Sequence, residues 1–330
     1  MFSRRGLKLN NAIACAYIPV AVISLGIWLL PLGRVLLMVS MVAIFTAQSM
    51  LQPSVNALHQ NFETDGQVVN FALARGVGSA AYALSSFLMG RLLTRLSPSI
   101  LPVAYGALSI ALIVALVGAR TTTAVERISV DSRGVSYADI LREHPTMLLF
   151  LGGVGCMFLT YSFIDCFLLQ IILSIGGTSG DLGTAITLSA MTELPAMILF
   201  GRLSQKGKGL KLFMISIWFW LAKDVLTLLA ASPRTLYAVQ LLNFASCAVY
   251  VPGMMDYMRQ TLREDQLLRG VTLAGTAATL GSLIATTLGG WLIDGIGVRR
   301  ALAVIQLFAV CGTVLLTLAL GHALRRDKSN

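Results

Sequence analysis

Glu193 is the residue with the most to explain. It sits near the centre of an apolar run from Leu182 to Leu203, with Pro195 two positions on. An ionised carboxylate in hydrocarbon is costly unless it is paired, hydrated or protonated. A carboxyl group that exchanges a proton at that depth is what a proton carrier needs; a permanently neutral or ion-paired structural residue is the plainer alternative. Pro195 removes a backbone donor close by and is expected to loosen the helix. Arg75 and Tyr82 are seven residues apart, which on a helix places them on one face about 10 Å from each other. A guanidinium fork and a ring so placed could frame one solute. Otherwise Arg75 snorkels to the interface and Tyr82 fills space. Lys223 and Asp224 lie inside a further apolar run, and adjacent helical residues do not face one another, so each needs a partner elsewhere. Lys223 is thereby a functional candidate. Gln240 and Asn243 could hydrogen-bond a solute or act as interhelical glue. Asp256, with Arg259 three residues on, reads as an interfacial ion pair.

Other chemistries find little to work with. The five cysteines, Cys15, Cys156, Cys166, Cys247 and Cys311, all lie in apolar runs without a CxxC or a Cys/His spacing suited to zinc or haem. Neither disulfide, metal nor cofactor is expected. His59, His144 and His322 fall in loops or the tail. A membrane enzyme acting on lipid-linked substrates, which would carry an acidic metal-binding pair or a Ser/His dyad at membrane depth, is therefore a weaker alternative. The glycines of Gly152-Gly153-x-Gly155 permit close helix packing and form no phosphate loop.

The elements that must hold these residues are membrane spans. Of 330 residues 56% are hydrophobic and 12% charged, and the mean hydropathy is +0.78. No water-soluble domain covers such a balance with its own polar surface. Runs of spanning length extend from Ala12 to Leu30, Val35 to Val55, Phe71 to Leu93, Ile100 to Gly118, Met147 to Ile175, Leu182 to Leu203, Leu212 to Ala231, Leu236 to Met258, Val271 to Ile293 and Ala301 to Leu320. Backbone polar groups in lipid must be bonded within the segment, so ten transmembrane helices of an all-α bundle are expected. The net charge of +10 is scattered between these runs and reads as topology rather than nucleic-acid binding. Of the 25 Lys and Arg, 18 fall on the side that holds both termini. That side is predicted to be cytoplasmic, with the protein multi-pass in the cell membrane. The N-terminal run follows Arg4, Arg5 and Lys8 but has no cleavage site, and is taken as a retained helix.

The polar stretch from Ala119 to Pro145 divides a four-helix segment, 1–118, from a six-helix segment, 146–330, with 119–145 as a cytoplasmic linker. The two segments match at an offset near 200 residues. Leu29 to Arg34 lies over Leu229 to Arg234, Gly90 over Gly290, Pro53 near Pro252, and Arg75-Gly76-Val77 is similar to Arg269-Gly270-Val271. On that register the fifth and sixth helices lack a counterpart, and the absent pair would precede Met1. The expectation is four plus six helices of a twelve-helix transporter built from parallel halves, with its solute site between them.

The chain resembles the major facilitator superfamily, in the branch of lactose permease-like and phenylpropionate permease-like proton symporters. Gly289 to Arg300 is similar to that superfamily's loop signature. Ala74 to Leu84 looks like its fifth helix, and the resemblance implies that Arg75 clamps the solute while Tyr82 stacks on it. Met191 to Leu203 looks like its eighth helix, implying solute contact and proton coupling for Glu193. Thr160 to Asp165 resembles a seventh-helix stretch with two acids, of which Asp165 alone remains, with Ser162 at the first acidic position. The surviving charge pair would be Asp165 with Arg234, structural or gating before anything else. Where the lactose permease-like members carry a coupling histidine and glutamate, this chain has Tyr237 and Gln240, and where they carry a fourth-helix acid it has Asn56. A solute hydroxyl or carboxylate could then take Arg75 directly.

These residues point to a secondary active transporter, a monomer carrying a sugar, nucleoside or small aromatic acid in symport with protons by alternating access. A nontransporting scaffold or regulator is the alternative. Its partners would be a small-molecule substrate, protons and the lipid bilayer, with no nucleic acid.

Overall fold

The computed structural model describes residues 9–64, 71–118, 136–204 and 208–327; the side chains at 9–10, 50–64, 71–76, 194, 251, 268 and 325–327 lie outside that description. Among the described residues every regular element is helical: α1 (Leu9–Leu29), α2 (Arg34–Thr64), α3 (Phe71–Leu93), α4 (Ile100–Gly118), α5 (Tyr137–Glu143), α6 (Thr146–Cys166), α7 (Leu168–Ser174), α8 (Ser179–Leu203), α9 (Gly209–Leu229), α10 (Pro233–Leu241), a 3-10 turn (Leu242–Phe244), α11 (Cys247–Thr261), α12 (Glu264–Ile296) and α13 (Val298–Asp327). Eight helices or helix pairs among them are long and apolar enough to cross a membrane, and Arg34–Ser49 and Val77–Leu93 are shorter apolar helices. Together these coincide with the ten runs expected from the sequence.

The chain packs as two compact units, Met1–Gly78 with Leu92–Asp131 and Ser79–Arg91 with Ser132–Asn330. In the first, α1 lies against α4 and α2 through Ile13, Tyr17, Val20, Ile44 and Leu116. Hydroxyl bonds reinforce this packing: Ser24 Oγ donates to the Pro102 carbonyl at 2.8 Å and Tyr105 Oη to Gln48 Oε1 at 2.5 Å. Lipid tails supply no hydrophobic drive between helices, so such bonds and close packing carry the association.

In the second unit α6 is the central helix, flanked by α12 and α13. Small residues let the backbones meet. A Cβ on Gly153 would stand 2.6 Å from Leu316 Cγ, and one on Gly312 would stand 3.0 Å from the Gly153 carbonyl. An aromatic cluster fills the interior, with Phe150 stacked on Tyr257 at 4.5 Å and Trp220 edge-on to Tyr250 at 5.2 Å. Ser162 Oγ donates to Ser282 Oγ at 2.6 Å, tying α6 to α12.

Three features depart from the sequence-based expectation. The run Met147–Ile175 is interrupted at Phe167, between α6 and α7, and the run Leu236–Met258 is interrupted by the 3-10 turn between α10 and α11. Helix α8, expected to loosen at Pro195, runs continuously through it. Near the end of the 119–145 stretch, Ser136 and Asp139 form a capping box on α5, which buries Ile140 completely. There Glu143 accepts from Gln266 Nε2 at 2.6 Å and pairs with Arg263 at 3.4 Å, joining α5 to the start of α12.

Candidate functional site

Several polar residues of the second unit converge on one cavity. Each helix supplies one face. Tyr161, Ile164, Asp165 and Leu168 follow the i, i+3, i+4, i+7 pattern along α6 into α7; Ile186, Ser189, Ala190 and Glu193 repeat it on α8. Trp220, Lys223 and Asp224 come from α9, Gln240 from the end of α10, Asn243 from the 3-10 turn after it, Cys247 from α11, and Tyr82 from the part of α3 that belongs to this unit.

The interruption after α10 has a local use. Asn243 is buried in the 3-10 turn. Its Oδ1 accepts from Lys223 Nζ at 3.2 Å, and its Nδ2 donates to the Ser189 carbonyl at 3.3 Å. One amide thus links α8, α9 and the turn, and holds the only lysine among the described residues of the lining. Non-helical backbone at membrane depth is tolerated where it is buried in protein or lines a cavity, as it does here. Ser246, next in line, leaves helical geometry altogether (φ −107°, ψ −103°). At the N-terminal end of α8, Tyr237 Oη donates to Asp181, whose carboxylate also caps the helix through Thr178.

Three carboxyl groups share the lining with Lys223. Asp165 is exposed to the cavity, Glu193 half-buried, and Asp224 only 3% exposed. Asp224 Oδ2 has no hydrogen-bond partner, while its backbone carbonyl accepts from Gln306 Nε2 of α13 at 3.0 Å. Lys223 lies within electrostatic reach of all three acids, and Tyr82 and Tyr161 each lie within reach of Asp165 and Glu193. Tyr161 meets Trp220 edge-on at 5.8 Å, which gives the acidic end an aromatic wall.

The structure therefore brings together Tyr82, Glu193, Gln240, Asn243, Asp165 and Lys223. It does not bring Arg234 to Asp165. Arg234 is exposed as the second residue of α10, and no salt bridge joins it to Asp165. The expected Asp165–Arg234 bridge is corrected accordingly: Asp165 opens onto the cavity, where Lys223 is the cation it feels. Asp256 likewise takes the Ser204 hydroxyl rather than Arg259. The side chains of Arg75 and Asn56 lie outside the described residues. Sequence reasoning missed Tyr161, Trp220 and Ser189. The signal was present: Tyr161 is one turn before Asp165, Trp220 one turn before Lys223 and Ser189 one turn before Glu193.

Residues 149–330 match the family model described as Major Facilitator Superfamily. A comparison with curated protein sequences gives no significant match. Among solved structures, the chain is similar to a bacterial homolog of the human lysosomal transporter Spinster in an inward-facing and unoccupied conformation. That likeness has a TM-score of 0.62 at 13% identity and covers 98% of this chain and 85% of that one. It is also similar to the E. coli fucose:proton symporter (TM-score 0.51, 12% identity, 94% of this chain and 84% of that one). A structure of the fucose transporter in the outward conformation gives 0.53 at 13% identity, over 96% and 83% of the two chains. At these identities the likeness is one of fold.

Proposed function

Because the chain belongs to the Major Facilitator Superfamily, we propose that it is a secondary active transporter coupling a small organic solute to protons in symport, by alternating access. The observation that supports this most is the convergence of Asp165, Glu193, Asp224 and Lys223 on one cavity between helices of spanning length. Ionisable groups are expensive in a bilayer, and such groups around a shared space mark a solute or proton path. Glu193 is the proposed proton acceptor and Asp165 its neighbour in solute binding. Lys223, held by Asn243, sets their electrostatics, and Tyr82, Gln240 and Asn243 line the solute. On the resemblance alone, Arg75 and Asn56 are proposed as solute-binding residues as well. The protein is proposed to act as a monomer in the plasma membrane with both termini in the cytoplasm.

The test is uptake by the full chain in proteoliposomes, screened over sugars, nucleosides and aromatic acids at two external pH values. A solute that accumulates only with an inward proton gradient is the expected result. Glu193→Gln should reduce gradient-driven accumulation by at least about 100-fold, the scale of a positioned proton-transfer group, while insertion and solute exchange persist. Undiminished accumulation in that variant would remove Glu193 from the coupling mechanism. An absence of uptake of any solute would remove the transport reading itself.

A further inference from the structure

We propose that Asp224 is a second proton-binding site, whose carboxyl, when it holds the proton, donates to the amide oxygen of Gln306. Its part in coupling rests on the transport reading above; the binding of the proton does not. Asp224 of α9 is 3% exposed and Gln306 of α13 is 7% exposed. Gln306 Nε2 donates to the Asp224 backbone carbonyl at 3.0 Å, which holds the amide against that residue. A carbonyl only accepts, so the nitrogen must be the atom that faces it, and the orientation of the amide is fixed. Gln306 Oε1 is then left without a donor, and Asp224 Oδ2 has none either. Two orphaned acceptors on adjoining buried residues are costly. One proton on Asp224 relieves both, because it turns Oδ2 from an acceptor into a donor with Gln306 Oε1 as its acceptor.

The surroundings serve both charge states. Lys223, on the same helix, acts electrostatically on Asp224 while donating its hydrogen bond to Asn243. Cys247 of α11 lies within electrostatic reach as well, and Asp165 of α6 and Glu193 of α8 act on the same Lys223. Helices α6 and α13 present Thr160 and Gln306, which do not titrate. The ionised carboxyl is thus supported by Lys223 and the neutral one by Gln306. Asp224 also lines the cavity, which gives the proton a route. Hydronium there loses its proton to Oδ2, an O–H bond forms and water remains; release reverses the step and restores the carboxylate.

The experiment is infrared difference spectroscopy on the full chain in proteoliposomes, between acidic and alkaline buffer, with no solute added. The probe is the proton itself, read at the carbonyl stretch of a protonated carboxyl. A titrating component is expected in the wild type and in Glu193→Gln, and is expected to vanish in Asp224→Asn. Gln306→Met should lower its midpoint by about one pH unit, since one net hydrogen bond to the protonated form is worth roughly tenfold in proton affinity. A purely structural Gln306 would leave the midpoint in place. Spectra that are the same with and without Asp224 overturn the proposal, as does a Gln306→Met midpoint that stays or rises. A water bridging the two oxygens, with no change of charge, gives the first of these results. In the uptake assay above, Asp224→Asn should lower the number of protons moved per solute by one. An unchanged ratio overturns the part of Asp224 in coupling. No uptake of any solute removes the transport reading, and the proton site then stands or falls by the spectra.

Discussion

Lys223→Met is expected to lower the thermal unfolding midpoint of the purified protein by something of the order of 10 °C and to abolish accumulation. Two costs combine. Asp165, Glu193 and Asp224 lose the lysine within electrostatic reach of each, and uncompensated carboxylates are costly at this depth. Asn243, 3% exposed, also loses the donor on its Oδ1, worth about 1–3 kcal/mol for a buried acceptor left unsatisfied. A second substitution separates these contributions. Asp224→Asn removes a negative charge whose Oδ2 had no hydrogen bond to lose, so Lys223→Met/Asp224→Asn should recover part of the stability without recovering accumulation. Recovery beyond the sum of the single effects measures the coupling of the pair. A Lys223→Met protein that melts at the wild-type temperature would mean the acids stand neutral in the resting state and need no counter-ion.

Which parts of this arrangement could be read beforehand follows from the physics of each. Spans are legible because lipid forces the backbone to bond within each segment; the apolar runs coincide with helices throughout. Their interruptions are not legible. Nothing in the composition of Met147–Ile175 marks Phe167 as a break, and Leu242–Phe244 reads as helical as its neighbours. The second break makes sense only with α8 and α9 in place, since Asn243 there bonds Lys223 and the Ser189 carbonyl. Individual ionisable residues were legible from their cost in hydrocarbon, which singled out Glu193 and Lys223 one at a time, while Asp165 came from the resemblance. Their convergence is a matter of tertiary packing. The Asp165–Arg234 pairing was inferred from a resemblance, without regard to the direction each side chain takes. Arg234 follows Pro233 at the first turn of α10 and stays exposed, while Asp165 shares a helix face with Tyr161 and Leu168 that lines the cavity.

Gly183→Leu should do the most damage of any substitution that leaves charge unchanged. A Cβ at Gly183 would stand 2.5 Å from the Ser86 carbonyl oxygen and 2.9 Å from Gly90 Cα, and a Cβ at Gly90 would stand 2.8 Å from Gly183 Cα. These are backbone atoms, so no side chain can rotate aside, and α8 must part from the Ser79–Arg91 portion of α3. One turn along, Thr187 Oγ1 donates to the Ala83 carbonyl at 2.9 Å, and separation breaks that bond as well. Tyr82 on one helix and Ile186, Ser189 and Glu193 on the other line the cavity, so its walls move with them. Overpacking costs about 1–3 kcal/mol in ordinary cores. In lipid, where close approach of small residues is itself what holds helices together, the upper end is expected, with uptake reduced by more than tenfold. Gly201, on the same helix, has nothing within 4 Å of its added Cβ, and Gly201→Leu should leave melting and uptake near wild type. Equal effects of the two substitutions on uptake would mean that the α3–α8 crossing does not hold the cavity in shape.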